Sequence, residues 1–149
     1  MMVFDIIGAV AGVATALGVG VAAWQLREQR QQRRADFELR FSERYETIVS
    51  KIPLPVLLGI SPYSANDETP RRAFYDYFEL CELETYYREA GQITNETWKD
   101  WQTGIESNWR LKSFRDAWTD LSAAAPRQFE LFREKFPKWN QPWPDENPQ

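Results

Sequence analysis

Carboxylates are the one concentrated source of chemistry in this chain. Asp76, Glu79, Glu82, Glu84 and Glu89 fall within a single helical stretch, with Asp67 and Glu68 just before it. Residues 67–106 carry ten acids against Arg71, Arg72, Arg88 and Lys99. Side chains three or four positions apart share a helix face. Glu79 with Glu82, or Asp76 with Glu79, could therefore hold a hard cation or divide acid and base roles if buried together. A solvated acidic surface is the simpler reading, so no metal and no catalytic set is assigned, and a carboxylate metal-binding domain stands only as an alternative.

The chain has no histidine, which removes the commonest general base and the commonest transition-metal ligand together. Its one cysteine, Cys81, has no imidazole to activate it and no second thiol for a disulfide. The nucleophile-elbow pattern GxSxG, the phosphate-binding GxxxxGK[ST] and a dinucleotide-type GxGxxG after a strand are all absent. A non-enzymatic protein without a cofactor is expected. Trp98, Trp101, Ile105 and Trp109 recur at helical spacing; such a stripe reads first as a core face and second as an aromatic cage for a ligand.

The elements that would position these residues begin with an apolar run. Residues 3–24 contain a single charge, Asp5, and match the about 20 residues needed to cross a bilayer core. Arg27, Arg30, Arg33 and Arg34 follow the run, whereas no Lys or Arg precedes it. By the positive-inside rule the N-terminus faces outward and the rest is cytoplasmic, on an inner, cytoplasmic-type membrane. A cleaved signal peptide is the weaker reading, because the positive n-region is missing and the apolar stretch is long. Gly8, Gly12, Ala16 and Gly20 recur every four residues, the small-residue pattern that lets membrane helices pack closely. Trp24 and the four arginines suit the membrane surface and its lipid headgroups. Acids dilute the basic cluster and the chain is acidic overall, which argues against nucleic acid.

Beyond the anchor the periodicity is helical throughout. Phe37, Phe41, Tyr45, Ile48 and Ile52 trace one face of an amphipathic helix that Pro53 and Pro55 end. The apolar residues 52–60 are expected in the core. Thr69-Pro70 reads as a helix start; the helix carries Phe74, Tyr77, Phe78, Cys81, Tyr86 and Tyr87 inward, with Gly91 as its C-terminal cap. Thr94 caps the next helix, where Ile93 and Trp98 have the spacing of a hydrophobic staple. A further helical turn from Ser113 bears Phe114, Trp118 and Leu121, and a last one after Pro126 bears Phe129, Phe132 and Phe136 before Pro137 stops it. The tail is Pro-rich and extended; Trp139 and Trp143 in it could dock on the domain, a partner or the membrane surface, and the composition also permits simple disorder.

The expected architecture is all-α: a single N-terminal transmembrane helix (residues 1–24) continuing through a basic juxtamembrane and amphipathic helix (25–50) into a small cytoplasmic helical domain (51–137) of about four helices, then a tail (138–149). Residues 107–138 add seven basic side chains against Asp116, Asp120, Glu130 and Glu134. That asymmetry favours either contacts between molecules or pairing between the helices.

The anchor, Tyr75-Asp76-Tyr77-Phe78-Glu79-Leu80, the Tyr86-Tyr87-Arg88 to Gly91-Gln92-Ile93 helix end, Trp98, Trp101 and Phe114-Arg115-Asp116-Ala117-Trp118 together resemble an uncharacterised family of short bacterial proteins. That resemblance implies an N-terminal transmembrane helix before a helical cytoplasmic domain, and no activity. The function expected is a membrane-anchored interaction or assembly module. It would self-associate or join another membrane protein through the anchor, touching membrane lipid and a cytoplasmic protein partner. An oligomeric pore or channel component is the alternative.

Overall fold

The computed structural model describes residues 2–141, with side chains described from residue 21 onward. Among these, six α-helices and one 3-10 turn account for all the regular structure: α1 (Met2–Val49), α2 (Leu54–Leu57), α3 (Glu68–Glu89), α4 (Asn95–Trp109), α5 (Lys112–Ala124), α6 (Glu130–Lys135) and the 3-10 turn Pro137–Asn140. Helix α1 belongs in part to each of two compact units, Met1–Phe37 and Glu38–Gln149. The aromatic core lies in the second.

The all-α expectation holds: after α1 come the four helices expected, α3 to α6, with the short α2 in addition. The transmembrane helix is corrected, because among the described residues no helix is long and apolar enough to cross a membrane. The described side chains of α1 start at Val21 and are followed by Arg27, Glu28, Arg30, Arg33 and Arg34, so no apolar stretch of bilayer length falls among them. Residues 3–20 of the apolar run lie outside the residues whose side chains are described.

Helix α3 forms the centre of the second unit. Its inward face places Phe74 and Phe78 at 0% exposure, against Phe114 on α5 and Phe132 on α6, also at 0%. Phe78 meets Trp118 at 4.9 Å between ring centroids, Trp139 at 5.4 Å and Phe132 at 5.9 Å. Phe114 stands edge-on to both Phe74 (4.9 Å) and Tyr77 (5.1 Å). Edge-to-face pairs of this kind add about 0.5–1.5 kcal/mol beyond the area they bury. The Pro-rich tail is not simply extended: Trp139, on the 3-10 turn, is buried against Trp109 at 4.9 Å. Trp143 lies outside the described residues.

Helix ends leave backbone groups without intrahelical partners, and here charged side chains of other segments take several of them. Arg115 Nη1 donates to the carbonyls of Trp109 and Arg110, both at 2.9 Å, at the end of α4. Arg133 reaches the end of α5 at Ser122 O (3.0 Å) and Pro126 O (3.0 Å). At the start of α6 the Glu82 carboxylate accepts the N–H groups of Leu131 (3.1 Å) and Phe132 (2.7 Å). That cap replaces a local one, because the residue before α6 is Phe129, held left-handed at φ 62° and contributing no side-chain cap. Much of the basic character of residues 107–138 is thereby absorbed within the fold.

Other boundaries follow their local chemistry. Thr94 Oγ1 accepts the Thr97 N–H at 3.2 Å, and Ile93 and Trp98 are both buried beside that cap. At the far end of α3, Gly91 has φ 71°, Gln92 N–H bonds Tyr87 O and Gly91 N–H bonds Arg88 O, the pair of bonds of a Schellman motif. Helix α3 begins at Glu68, with Asp67 in the cap position, so the Thr69-Pro70 pair falls inside its first turn. Tyr86 is 54% exposed and not part of the core. The apolar stretch after Ile52 is not buried either: it folds as α2, with Leu54 63%, Leu58 55% and Ile60 75% exposed. Four residues of helix have too little length to turn every apolar side chain inward.

Candidate functional site

Residues of α1, α3 and α4 in the second unit line a partly open cavity of about 290 Å³. Its α1 wall is Phe41, Tyr45 and Glu46. This accounts for the partial failure of the predicted α1 stripe, since Ile48 and Ile52 are buried whereas Tyr45 is 39% exposed and Phe41 half-buried. The Phe41 ring stacks on Trp101 of α4 at 5.3 Å, and Tyr45 faces Tyr77 of α3 at 6.4 Å. Aromatic rings thus bridge the wall instead of filling it.

Helix α3 presents Tyr77, Cys81 and Glu84, spaced by four and three, to the same cavity. The Tyr77 hydroxyl accepts a 3.0 Å hydrogen bond from Asn108 Nδ2 on α4. Burial pushes the Tyr77 hydroxyl and the Cys81 thiol well above their usual pKa values, with the neighbouring Glu84 charge adding to both. A thiol held protonated is the reverse of an activated nucleophile.

Glu84 is only 6% exposed, and no described residue hydrogen-bonds or ion-pairs its carboxyl. Burial alone pushes its pKa up to about 8, so at neutral pH the group is mostly the neutral acid. Buried polar groups are ordinarily satisfied; among the described residues the fully sealed side-chain atoms without a hydrogen bond are Ser113 Oγ and Arg133 Nε, whereas the Glu84 carboxyl opens on the cavity. The α4 wall adds Asp100, Trp101 and Gly104. Gly104 sits inside a helix with an ordinary backbone, and a Cβ built on it meets nothing within 4 Å.

No protein-family model, curated protein or solved structure matches this chain.

The carboxylates paired from sequence, Asp76, Glu79 and Glu82, are otherwise engaged. Asp76 pairs with Arg72 at 2.9 Å, Glu79 with Arg44 at 3.0 Å, and Glu82 caps α6. Among the described residues no three His, Cys, Asp or Glu side chains converge as a metal site. Gly8, Gly12, Ala16 and Gly20 lie outside the residues whose side chains are described. Trp24 is 66% exposed, and Arg27, Arg30, Arg33 and Arg34 are exposed on α1. The sequence reading placed Cys81 in the core and Trp101 on a core face, and it did not single out Glu84, Tyr45 or Gly104 as a set. A signal for the first existed: Glu84 is one further helical step along the Tyr77–Cys81 face.

Proposed function

We propose that residues 38–141 act as a non-enzymatic binding module whose recognition site is the cavity between α1, α3 and α4. The observation that carries this reading is the buried, partnerless Glu84 on an aromatic wall. A ligand pocket is typically apolar with a few placed polar groups, and this cavity has that composition. The lack of histidine and the protonated Cys81 thiol weigh against a catalytic role.

The test is a fragment screen on the full chain by two-dimensional NMR. Perturbations concentrated at Gly104, Asn108 and the Trp101 indole support the module. Perturbations scattered elsewhere, or none, remove it.

A protein partner is the second reading, favoured by the exposed Leu54, Leu58 and Ile60 about α2. A cluster of exposed apolar side chains marks an interaction surface when it is contiguous. Leu58→Asp would abolish capture of such a partner while leaving fragment binding in the cavity unchanged; loss of both would refute a separate surface.

A further inference from the structure

We infer that the cavity binds an organic ammonium ion that carries at least one N–H, seated against Phe41, Tyr45 and Trp101 and donating to Glu84. This inference rests on the binding-module reading and names the chemistry of its ligand.

Charge sets the sign. Glu46, Glu84 and Asp100 line the cavity and no Lys or Arg does, so an anion would find no cationic partner among the lining side chains. Aromatic rings attract cations through their quadrupoles, and Phe41, stacked on Trp101, and Tyr45 place such rings on two walls. A bare metal ion fits poorly, because hard cations demand several converging oxygens and no such group of side chains exists among the described residues.

The need for an N–H comes from Glu84. Its carboxyl is buried and no described residue partners it, so an apolar or quaternary ligand would leave it unsatisfied. An ammonium N–H supplies the missing donor and makes a charge-assisted bond. Size sets a further limit. At about 290 Å³ the cavity lies at the small end of ligand pockets, suited to a short alkyl chain and its head group and too small for a nucleotide.

Gly104 is an independent observation. Glycine inside a helix is less favourable than alanine by about 1 kcal/mol. Here neither backbone geometry nor a close neighbour calls for it. What its missing side chain leaves open is space on the cavity wall.

The same chemistry occurs on free alkylamines and on lysine side chains, and the test separates them. Full-length protein is titrated at pH 7.5 with n-butylammonium, a blocked lysine dipeptide, tetramethylammonium and butyrate, following the Gly104 amide and the Trp101 indole by NMR. Expected is binding of n-butylammonium at least ten-fold tighter than tetramethylammonium, with no butyrate binding. A dipeptide that binds as well identifies a lysine side chain as the ligand, whereas one excluded from the cavity identifies a free amine. Glu84→Gln should weaken butylammonium at least ten-fold, and Gly104→Leu, which fills open space without removing a contact, should abolish it.

Affinity should also rise between pH 6 and pH 8 as Glu84 gives up its proton. Tyr45 and Glu46 on α1, Tyr77 and Cys81 on α3 and Asp100 on α4 share the cavity, so flattening of that rise in Glu84→Gln protein is required to assign it to Glu84. Equal affinity for tetramethylammonium and n-butylammonium, or unchanged binding in both variants, overturns the inference. If neutral fragments occupy the cavity and ammonium ions do not, the ligand class is wrong and the binding module stands. If no probe perturbs the cavity, both fall.

Discussion

The Glu82 carboxylate on α3 lies 2.7 Å from the backbone N–H of Phe132, so the first turn of α6 is closed by a helix fifty residues earlier in the chain. Phe129 in the left-handed region leaves α6 without a local cap, and a bulky residue there carries strain of about 1–2 kcal/mol. Glu82→Ala should therefore cost about 2 kcal/mol, the range for hydrogen bonds to a charged acceptor. Urea denaturation would show it as a lowered midpoint with an unchanged slope. A loss under 0.5 kcal/mol would mean that water caps α6 as well as Glu82 does.

Glu84 should make stability fall with rising pH. Its pKa is about 8 in the fold against 4.5 for an ordinary glutamate. Below pH 4.5 both folded and unfolded chains hold the proton. Between 4.5 and 8 only the folded chain does, so unfolding releases a proton and stability declines as pH rises. Above 8 the decline is complete. At 1.36 kcal/mol per pH unit the loss is on the order of 4 kcal/mol across the window. Denaturation midpoints at pH 5, 6.5 and 8 should show this trend in the native protein and a much flatter one in Glu84→Gln protein. Parallel trends would show that another group is responsible.

Asp120 links α5 to α3 and to the loop before it, accepting from Tyr63 Oη at 2.7 Å and Arg71 Nε at 2.9 Å. The Arg71 hydrogen bond, with help from Tyr63, holds its carboxyl below the usual range. The stabilisation is fully present above the ordinary aspartate pKa and is lost as pH falls through the depressed value. Asp120→Ala should cost about 1–2 kcal/mol at pH 7, and less as pH falls through its depressed pKa. A double-mutant cycle with Tyr63→Phe should give a coupling of about 0.5–1 kcal/mol. Strict additivity would show that the two bonds are independent.

Gly104→Ala should raise stability by about 0.5–1 kcal/mol, since the added Cβ meets nothing and helix propensity improves. Thermal denaturation would register a gain of a few degrees. A decrease would reveal a contact at that position that the fold does not display.

The legible parts of this fold were those in which one local rule decides the outcome. Thr94 followed by Thr97 gives an N-cap, Gly91 a left-handed C-cap, and Phe129, Phe132 and Phe136 an inward edge, all from short spacings. What required the tertiary arrangement was harder to see. Phe41 and Tyr45 continue the period of Ile48, yet they face a cavity, because the helices around them do not close. Glu84 looked like one acid among many; its burial follows from the phase of α3, which turns Glu79 and Glu82 toward Arg44 and α6 instead. Leu54, Leu58 and Ile60 read as core from composition, but no neighbour covers them. The apolar run that dominated the sequence lies mostly beyond the residues whose side chains are described, and the helices that are described have no comparable stretch.

Trp139 has a consequence for the order of events during synthesis. Its ring packs against Phe78, Trp118 and Phe132, of which Phe78 and Trp118 are made well before it. A ribosome adding about 5–20 residues per second exposes the earlier helices first, so α3 and α5 must wait, with aromatic surface uncovered, until residue 139 has left the exit tunnel. The nascent chain is therefore most vulnerable to aggregation in the seconds before that one side chain arrives.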